Sequence, residues 1–461
     1  MELPSISVSE LLSQYQQENI KRIKLGVTDI DGVIRGKYIN LDKFKSVANS
    51  GAGFCDCVLG WDVNDQLYDN VSFTGWHTAF PDALYRLDLK SQRRLSLENN
   101  TPYFIAEFVQ EDGQSGHPLC PRSLLKKILS KGKAMGYAVN LAFEYEFFVF
   151  KETAASIREK NYRNLTPLTP GNFGYSMLRA SSESDLFHQL MDYCIDLDCP
   201  IEGLHCETGP GVWEAALQVD EGLRAADKAV LFKTFSKAFF QKQDCVATFM
   251  AKWSMDYPGQ SGHLHQSLVD KNSGKSVFYD SAAEHSMSKV MTHYVAGVQK
   301  YMRPFLAMYA PTINSYTRLV KGAWAPTAAT WGVENRTAAL RVIQGSESSQ
   351  RMEFRIGSAD ANPYLVAAAS VGAGLLGIEE GLNLEDAVQG NAYENQDALA
   401  EAFQLPSNLR DAGRLFNQSN AARSLFGDDF VDHFSATREW ECREYERHVN
   451  DWQLERYFEI I

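Results

Sequence analysis

Asn140-Leu-Ala-Phe-Glu-Tyr-Glu-Phe-Phe-Val-Phe150 decides how the rest of the chain is read. Aromatic residues at 143, 145 and 147 alternate with Glu144 and Glu146. A β-strand sends successive side chains to opposite faces, so the two carboxylates share one face. Taken alone, the pattern also fits a strand whose polar face lies in water. A second acidic segment argues for burial. Leu204-His-Cys-Glu-Thr-Gly-Pro-Gly-Val-Trp-Glu214 reads as strand, turn, strand. With Pro210-Gly211 as a two-residue turn, Glu207 faces Glu214 across a hairpin. Like charges directly opposed destabilise a sheet, and a cation between them removes that cost.

The spacing of two recurs downstream. Gly262-His263-Leu-His265 sets two imidazoles on one strand face. Arg351-Met-Glu-Phe-Arg355 sets Glu353 and Arg355 on one face, with Met352, Phe354 and Ile356 on the other. A lone histidine is an ordinary core or surface residue. Five glutamates and two histidines in strand-like contexts point instead to a metal centre. Buried carboxylates without a cation are forced to protonate, and carboxylate-rich, thiolate-free sets suit Mg²⁺ or Mn²⁺. Arginines follow at 318, 336, 341, 351 and 355. Guanidinium forks match carboxylate and phosphate. Divalent cations beside several arginines are the means of phosphoryl transfer, where catalysis is positioning and charge neutralisation. No GxxxxGK[ST] loop is present, so ATP binding here lies outside the P-loop architecture.

Around these segments the chain divides. Residues 1–20 predict a short helix with the capping box Ser7-x-x-Glu10 ahead of Leu11, Leu12 and Tyr15. Short apolar runs between 22 and 115, such as Ile23 to Ile30 and Tyr103 to Phe108, predict a small strand-rich domain. The polar stretch Gln110 to Gly116 predicts a boundary, giving domains 1–115 and 116–461. Beyond Pro121, helices (122–136, 183–198, 221–242, 283–310) alternate with strands (138–150, 204–219, 246–253, 262–269, 339–343, 351–356), an α+β pattern. Asn362 and Pro363 open a buried helix over Tyr364 to Ile378. Residues 384–461 read as charged and helical.

Composition closes off other classes. The chain is 44% hydrophobic and 22% charged, ordinary for a globular protein. Its net charge is −13 with no basic tract, which speaks against nucleic acid and anionic membranes as partners. No secretory signal or membrane-spanning run is visible. Eight scattered cysteines form no CxxC pair, which reads as unpaired thiols in a reducing cytoplasm.

Taken together, the motifs resemble the glutamine synthetase family over nearly the whole chain. They are Thr28-Asp29-Ile30-Asp31-Gly32, Glu144-Tyr-Glu146, His205-Cys-Glu207 through Glu214, Gly259-Gln-Ser-Gly-His263-Leu-His265, Asn314-Ser-Tyr-Thr-Arg318, Asn335-Arg336-Thr-Ala-Ala-Leu-Arg341 and Glu353-Phe-Arg355. The resemblance implies an N-terminal β-grasp domain and a catalytic domain built on a curved antiparallel sheet with flanking helices. It implies a homo-oligomer, commonly a dodecamer of two hexameric rings, with each active site shared between subunits. Its cofactors would be ATP and two to three Mg²⁺ or Mn²⁺ ions per site. By the same resemblance, Glu146, Glu207 and Glu214 hold the first metal, and Glu144, His263 and Glu353 the second. Arg318 holds the α-carboxylate of L-glutamate, Gly259 offers it a backbone contact, and Arg336 and Arg355 face the γ-phosphate and γ-carboxylate. His265, Ser267, Arg341 and Arg351 contact the nucleotide. The chemistry implied is transfer of the γ-phosphate of ATP to the γ-carboxylate of glutamate, then attack by an amine on the acyl phosphate.

The departures from the family pattern concern the amine. Ammonia-using members carry a glutamate in the loop after the Arg-Leu-Val segment. Here Arg318-Leu-Val-Lys-Gly-Ala-Trp-Ala-Pro326 places Trp324 there. Indole accepts no proton, but it offers a flat apolar or cation–π wall to an alkyl ammonium. Asp56 is the candidate counterpart of the family's N-terminal aspartate at the ammonium site. Pro258 stands where an asparagine usually meets the α-amino group, and no adenylylation-loop tyrosine precedes Leu405-Pro406. The reading is a glutamate–amine ligase acting on an organic primary amine, a polyamine such as putrescine or a small monoamine. For a diamine, Asp56, Asp62 or Asp65 could supply a distal carboxylate; for a monoamine, Trp61, Phe54 and Trp324 an apolar end. The alternatives are glutamine synthetase proper, using ammonia, and a non-catalytic structural relative.

Overall fold

In the computed structural model of the chain, residues 7–394 and 396–461 are described. The first sheet has six strands: β1 (Arg22–Thr28), β2 (Ile34–Asn40), β3 (Ala52–Cys55), β4 (Asp82–Leu87), β5 (Arg93–Leu95) and β6 (Thr101–Phe108), ordered β2-β1-β6-β4-β3 with β5 beside β6. Its pairs are antiparallel except β1–β6. Helices Val8–Gln17 and Leu41–Ser50 cover one face, burying Leu11, Tyr15, Phe44 and Val47 against Leu25, Phe104 and Phe108. The Ser7–Glu10 capping box forms as the sequence requires.

The second sheet has nine strands: β7 (Tyr137–Phe150), β8 (Ile201–Cys206), β9 (Val212–Leu217), β10 (Asp220–Glu221), β11 (Val246–Thr248), β12 (Gly262–Asp270), β13 (Trp331–Val333), β14 (Leu340–Ile343) and β15 (Arg351–Phe354). The main path runs β13-β14-β15-β12-β7-β9-β8. The sheet is antiparallel except for the edge pair β13–β14, so it is mixed rather than purely antiparallel. Its apolar face packs on helices Gly222–Gln241 and Pro363–Glu380, the latter capped by Asn362 with Pro363 in its first turn. Helices Lys289–Tyr309 and Pro363–Glu380 approach so closely that a Cβ on Gly297 would lie 2.7 Å from Cα of Gly377. Only glycine fits that crossing. No helix of the described residues is long and apolar enough to cross a membrane.

Three expectations change. Helix 283–310 begins only at Lys289, where Ser288 caps it, because His285 has left-handed backbone. The strand expected over 246–253 ends at Thr248, beyond which the chain turns through Met250 to Gln260. The C-terminal stretch is not helical throughout. Residues 384–394 and 396–408 wander, with two single turns at Gln396–Ala398 and Glu401–Phe403, and helices run from Leu409 onward. Charge and aromatic content there do not distinguish helix from a long loop anchored by Ala329 N–H to Phe403 O and Leu405 N–H to Thr327 O.

Candidate active site

Sheet register collects the charged side chains on one face. His263 of β12 pairs with Glu144 of β7, and His265 with Glu353 of β15. Arg341 of β14 also pairs with Glu353, and Glu146 pairs with Glu214 of β9. His205 of β8 pairs with Glu214. Directly paired residues point to the same side and so do residues two apart. Six adjacent strands thereby present Arg341, Arg351, Glu353, Arg355, His263, His265, Glu144, Glu146, Glu214 and His205 together, while Phe143, Tyr145, Phe147, Leu264, Phe354 and Trp213 line the core behind.

The hairpin register corrects the sequence expectation. Glu214 faces His205, not Glu207; Glu207 N–H donates to Val212 O across a four-residue loop, 208–211. The loop is two residues longer than a tight turn. Because that slip is even, Glu207 keeps its face and lies diagonal to Glu214. The directly opposed carboxylates are Glu146 and Glu214.

A cavity of about 530 Å³ opens over this face. Glu144, Glu146, Glu207, Glu214, Gly259, His263, His265, Arg318, Trp324, Arg336, Arg341, Glu353 and Arg355 all line it. Arg351 and Ser267 line an adjoining cleft that shares Glu144 and His265 with the cavity, and Arg351 Nε donates to His265 Nδ1 at 3.2 Å. Asp56 is not brought to the cavity. It is buried in the first-sheet region, where its carboxylate accepts from Thr74 Oγ1 at 2.6 Å. Asp62 caps its own turn and accepts from Trp440 Nε1, and Asp65 pairs with Arg35.

Within the cavity, His263 Nδ1 lies 3.0 Å from Glu144 Oε1 and 3.5 Å from Glu353 Oε1. His205 Nε2 lies 3.0 Å from Glu207 Oε1 and 3.5 Å from Glu214 Oε1. Burial pushes the Glu144 carboxyl up, but His263 and His265 outweigh it and hold it well below the usual range. Glu353, more deeply buried, is brought to about 2 by His263 and Arg355. Glu214 has only His205 at 3.5 Å, and the surrounding carboxylates outweigh it. Burial and the charges of Glu144, Glu146, Glu207 and Glu353 push it up to about 10.

That uncompensated carboxyl is what a bound cation corrects. Three sets place their ligand atoms within 4.8 Å of one another: Glu144, His265 and Glu353; Glu144, Glu214 and His263; His205, Glu207 and Glu214. His263 Nε2 is buried without a partner. Oxygen and imidazole donors without thiolate fit Mg²⁺ or Mn²⁺. The grouping differs from the two sets expected. His205 and His265 join the acidic cluster, while Glu146 stands in none of the three and accepts from Ser261 N–H at 2.6 Å.

The arginines fall into two kinds. Arg341 and Arg355 bond Glu353, and Arg318 donates to Ile356 O, Ser261 Oγ and Arg355 O. Arg336 is exposed at the cavity and, among the described residues, has no ion-pair partner. Sequence reasoning missed Tyr175 and the part of His205. His205 sat inside a quoted His-x-Glu spacing of two. Tyr175 lies in an irregular loop with no periodicity to reveal it, yet its ring stacks on His205 at 4.4 Å and lines the cavity.

A family model described as "Glutamine synthetase, catalytic domain" matches residues 118–457. The type-1 glutamine synthetase 2 of Dictyostelium discoideum is 42% identical, covering 98% of this chain and 86% of that protein. A glutamate–isopropylamine ligase of Pseudomonas sp is 37% identical over 97% of this chain and 96% of its own length. The solved GmaS/ADP complex superposes with a TM-score of 0.84 at 25% identity, covering 97% and 99% of the two chains. The chain belongs to the glutamine synthetase family. It is an ATP-dependent ligase that joins glutamate to an amine or to ammonia, and its α+β fold is the family's, an N-terminal β layer ahead of a catalytic domain with a mixed sheet.

Proposed function

We propose that the protein joins L-glutamate to an organic primary amine, giving a γ-glutamylamide, ADP and phosphate. The observation that carries the reading is Trp324, whose exposed indole forms part of the cavity wall. Tyr175, Val212, Pro258, Ala323 and Ala325 also line the cavity, so apolar side chains share its wall with the charged ones. Of the carboxylates lining the cavity, Glu144, Glu207, Glu214 and Glu353 stand in the clustered sets and Glu146 accepts from Ser261 N–H, while Asp56, Asp62 and Asp65 are bonded elsewhere. A distal ammonium would find no free carboxylate among the described residues of one chain. The wall therefore favours a small monoamine over a diamine. The relative named for isopropylamine supports the same class.

In this reading Arg318 binds the α-carboxylate of glutamate beside Gly259. Arg336, free of an ion-pair partner, meets the γ-phosphate, and Arg355 orients the γ-carboxylate. That carboxylate attacks the γ-phosphorus; the bridging oxygen leaves with ADP, and γ-glutamyl phosphate forms. The amine, held against Trp324 and Tyr175, attacks the acyl carbon; the C–O bond to phosphate breaks, and the departing phosphate takes the amine's proton. His265, Ser267, Arg341 and Arg351 hold the nucleotide. Glu144, Glu146, Glu207, Glu214, His263 and Glu353, joined by His205, would hold two to three Mg²⁺ or Mn²⁺ ions, which supply charge neutralisation at the transferring phosphoryl group. We further place a domain boundary near 115/116, with dodecamers of two hexameric rings in the cytoplasm as the working form.

The test is ATP-dependent phosphate release with glutamate across ammonium, alkyl monoamines, aromatic amines and polyamines. A small alkylamine is expected to give the highest kcat/KM. Release supported by ammonium and unimproved by any amine would return the protein to glutamine synthesis, the activity named for the Dictyostelium relative.

A further inference from the structure

Arg318 is fully buried, and its fork is held by the segment that follows β15: Nη1 donates to Ile356 O at 2.9 Å and Nη2 to Arg355 O at 3.1 Å. The fork alone does not fix the side chain. Its stem rises from Ser315–Arg318, a single helical turn in which Asn314 makes no side-chain cap. An isolated turn of four residues does not hold itself. Asn314 is tied to Lys252 by two hydrogen bonds of 2.8 Å, and the residues on either side of it are braced by Asp360. Thr312 Oγ1 donates to Asp360 Oδ2 at 2.8 Å, and Ser315 Oγ donates to the same oxygen at 3.0 Å. Ser315 N–H in turn donates to Thr312 Oγ1 at 3.1 Å.

Asp360 stands on a fixed rail. Ser358 N–H donates to Tyr309 O at 3.0 Å, Lys233 Nζ donates to Ala361 O at 2.7 Å, and Asn362 caps the next helix. One backbone segment, 355–362, therefore grips Arg318 at both ends, by two carbonyls at the guanidinium and by one carboxylate at the turn that carries the stem. Burial pushes the Asp360 carboxyl up, and the Thr312 and Ser315 hydroxyls with the charges of Lys233 and Arg318 offset only part of that rise. Asp360 lines none of the site cavities and so touches no substrate.

We propose that Asp360 is a positioning residue for the acid substrate, acting through Thr312 and Ser315 to set where Arg318 stands. The proposal rests on the reading of Arg318 as the group that binds glutamate. Loss of a buried acceptor shared by two hydroxyls is worth about tenfold in an equilibrium that depends on it. Asp360→Ala is therefore expected to raise the glutamate KM about tenfold while the ATP KM moves less than about twofold. Asp360→Asn keeps an oxygen in place and is expected to restore the glutamate KM to within about threefold of the parent. Ser315→Ala, a milder change, is expected to raise the glutamate KM several-fold, and its effect is not expected to add to that of Asp360→Ala.

A glutamate KM unmoved in Asp360→Ala, or raised together with the ATP KM by the same factor, overturns the proposal. Full additivity of Ser315→Ala and Asp360→Ala does the same. Arg318→Lys separates the two layers of the argument. If it leaves the glutamate KM unchanged, the reading of Arg318 falls and the positioning role with it. If it raises the KM and Asp360→Ala does not, the positioning role alone falls.

Discussion

Replacing Glu214 by glutamine tests the charge arrangement of the site at its most strained point. Glu214 lies directly across from Glu146, and burial with four surrounding carboxylates pushes its own carboxyl up to about 10. In the unfolded chain the same group has an ordinary value near 4.5. The sign follows from linkage. A carboxyl raised on folding takes up a proton, so its contribution to stability is lost progressively as pH rises from the unfolded value toward the folded one. At pH 7, without metal, that uptake costs about 3 kcal/mol. Glutamine carries no charge and needs no proton, so Glu214→Gln is expected to stabilise the metal-free protein by about that amount. The gain shows as a rise of about 3 °C in thermal midpoint in EDTA at pH 7, growing toward pH 9 and vanishing near pH 5. With Mn²⁺ the order reverses. The parent gains midpoint with metal concentration, whereas the variant loses most of that gain and its phosphate release. A variant less stable than the parent in EDTA, or one retaining the full metal-dependent gain, would refute the claim that Glu214 is held in place by a cation.

Other substitutions probe separate parts of the site. Trp324→Glu is expected to shift the ratio of kcat/KM values toward ammonium and away from alkylamines by at least tenfold, since it trades an apolar wall for a proton acceptor; an unchanged amine profile would place Trp324 outside the nucleophile pocket. Gly259→Ala puts a methyl 2.7 Å from Arg318 Cγ and 2.8 Å from the backbone oxygen of Ala251, so the pinned Arg318 stem and the backbone must both give, and the glutamate KM is expected to rise together with a fall in thermal midpoint. Burial holds His117 and His433 neutral, with both imidazoles pushed down to about 4. Stability they contribute at neutral pH is expected to fall between about pH 6.5 and 4, by up to about 3 kcal/mol each. In acid melts, His117→Asn with His433→Gln should flatten that slope.

The gathering of charges was legible because it rests on a period of two. Glu144 and Glu146, His263 and His265, and Glu353 and Arg355 each declare their own common face, and antiparallel neighbours in an aligned register then share it. Register itself was not legible at the hairpin. Pro210-Gly211 looks like a two-residue turn, but Thr208 and Gly209 belong to the loop as well, and Gly211 packs 2.6 Å from Val149 O at its virtual Cβ, a contact no local signal announces. Loop residues were the harder class. Tyr175 reaches the cavity from a left-handed position between short helices, and no pattern in residues 160–176 marks it. Asp56 was chosen by motif position, and the single chain spends it on Thr74.

The early motif Thr28-Asp29-Ile30-Asp31-Gly32 lies more than a hundred residues before the first acidic strand, yet hydrogen bonds tie it to the same rail. Asp31 Oδ1 accepts from Arg438 Nη2 at 2.6 Å, and Arg438 Nη1 donates to Pro311 O at 2.6 Å, where the turn toward Arg318 begins. Asn362 Nδ2 donates to Asp29 O and Ile30 O. The loop after β1 is thus tied to the chain on either side of Asp360, through Arg438 to Pro311 before the turn and through Asn362 after the rail. Arg438 is buried with one carboxylate for its charge, and breaking such a pair costs about 3–5 kcal/mol because the cation is left unpaired. Stability and site geometry are therefore drawn from the same bonds. The turn that carries Arg318 is held by Asp360 on one side and by the docking of the β layer on the other, which gives a motif with no residue in the cavity a physical reason to accompany the metal-binding strands.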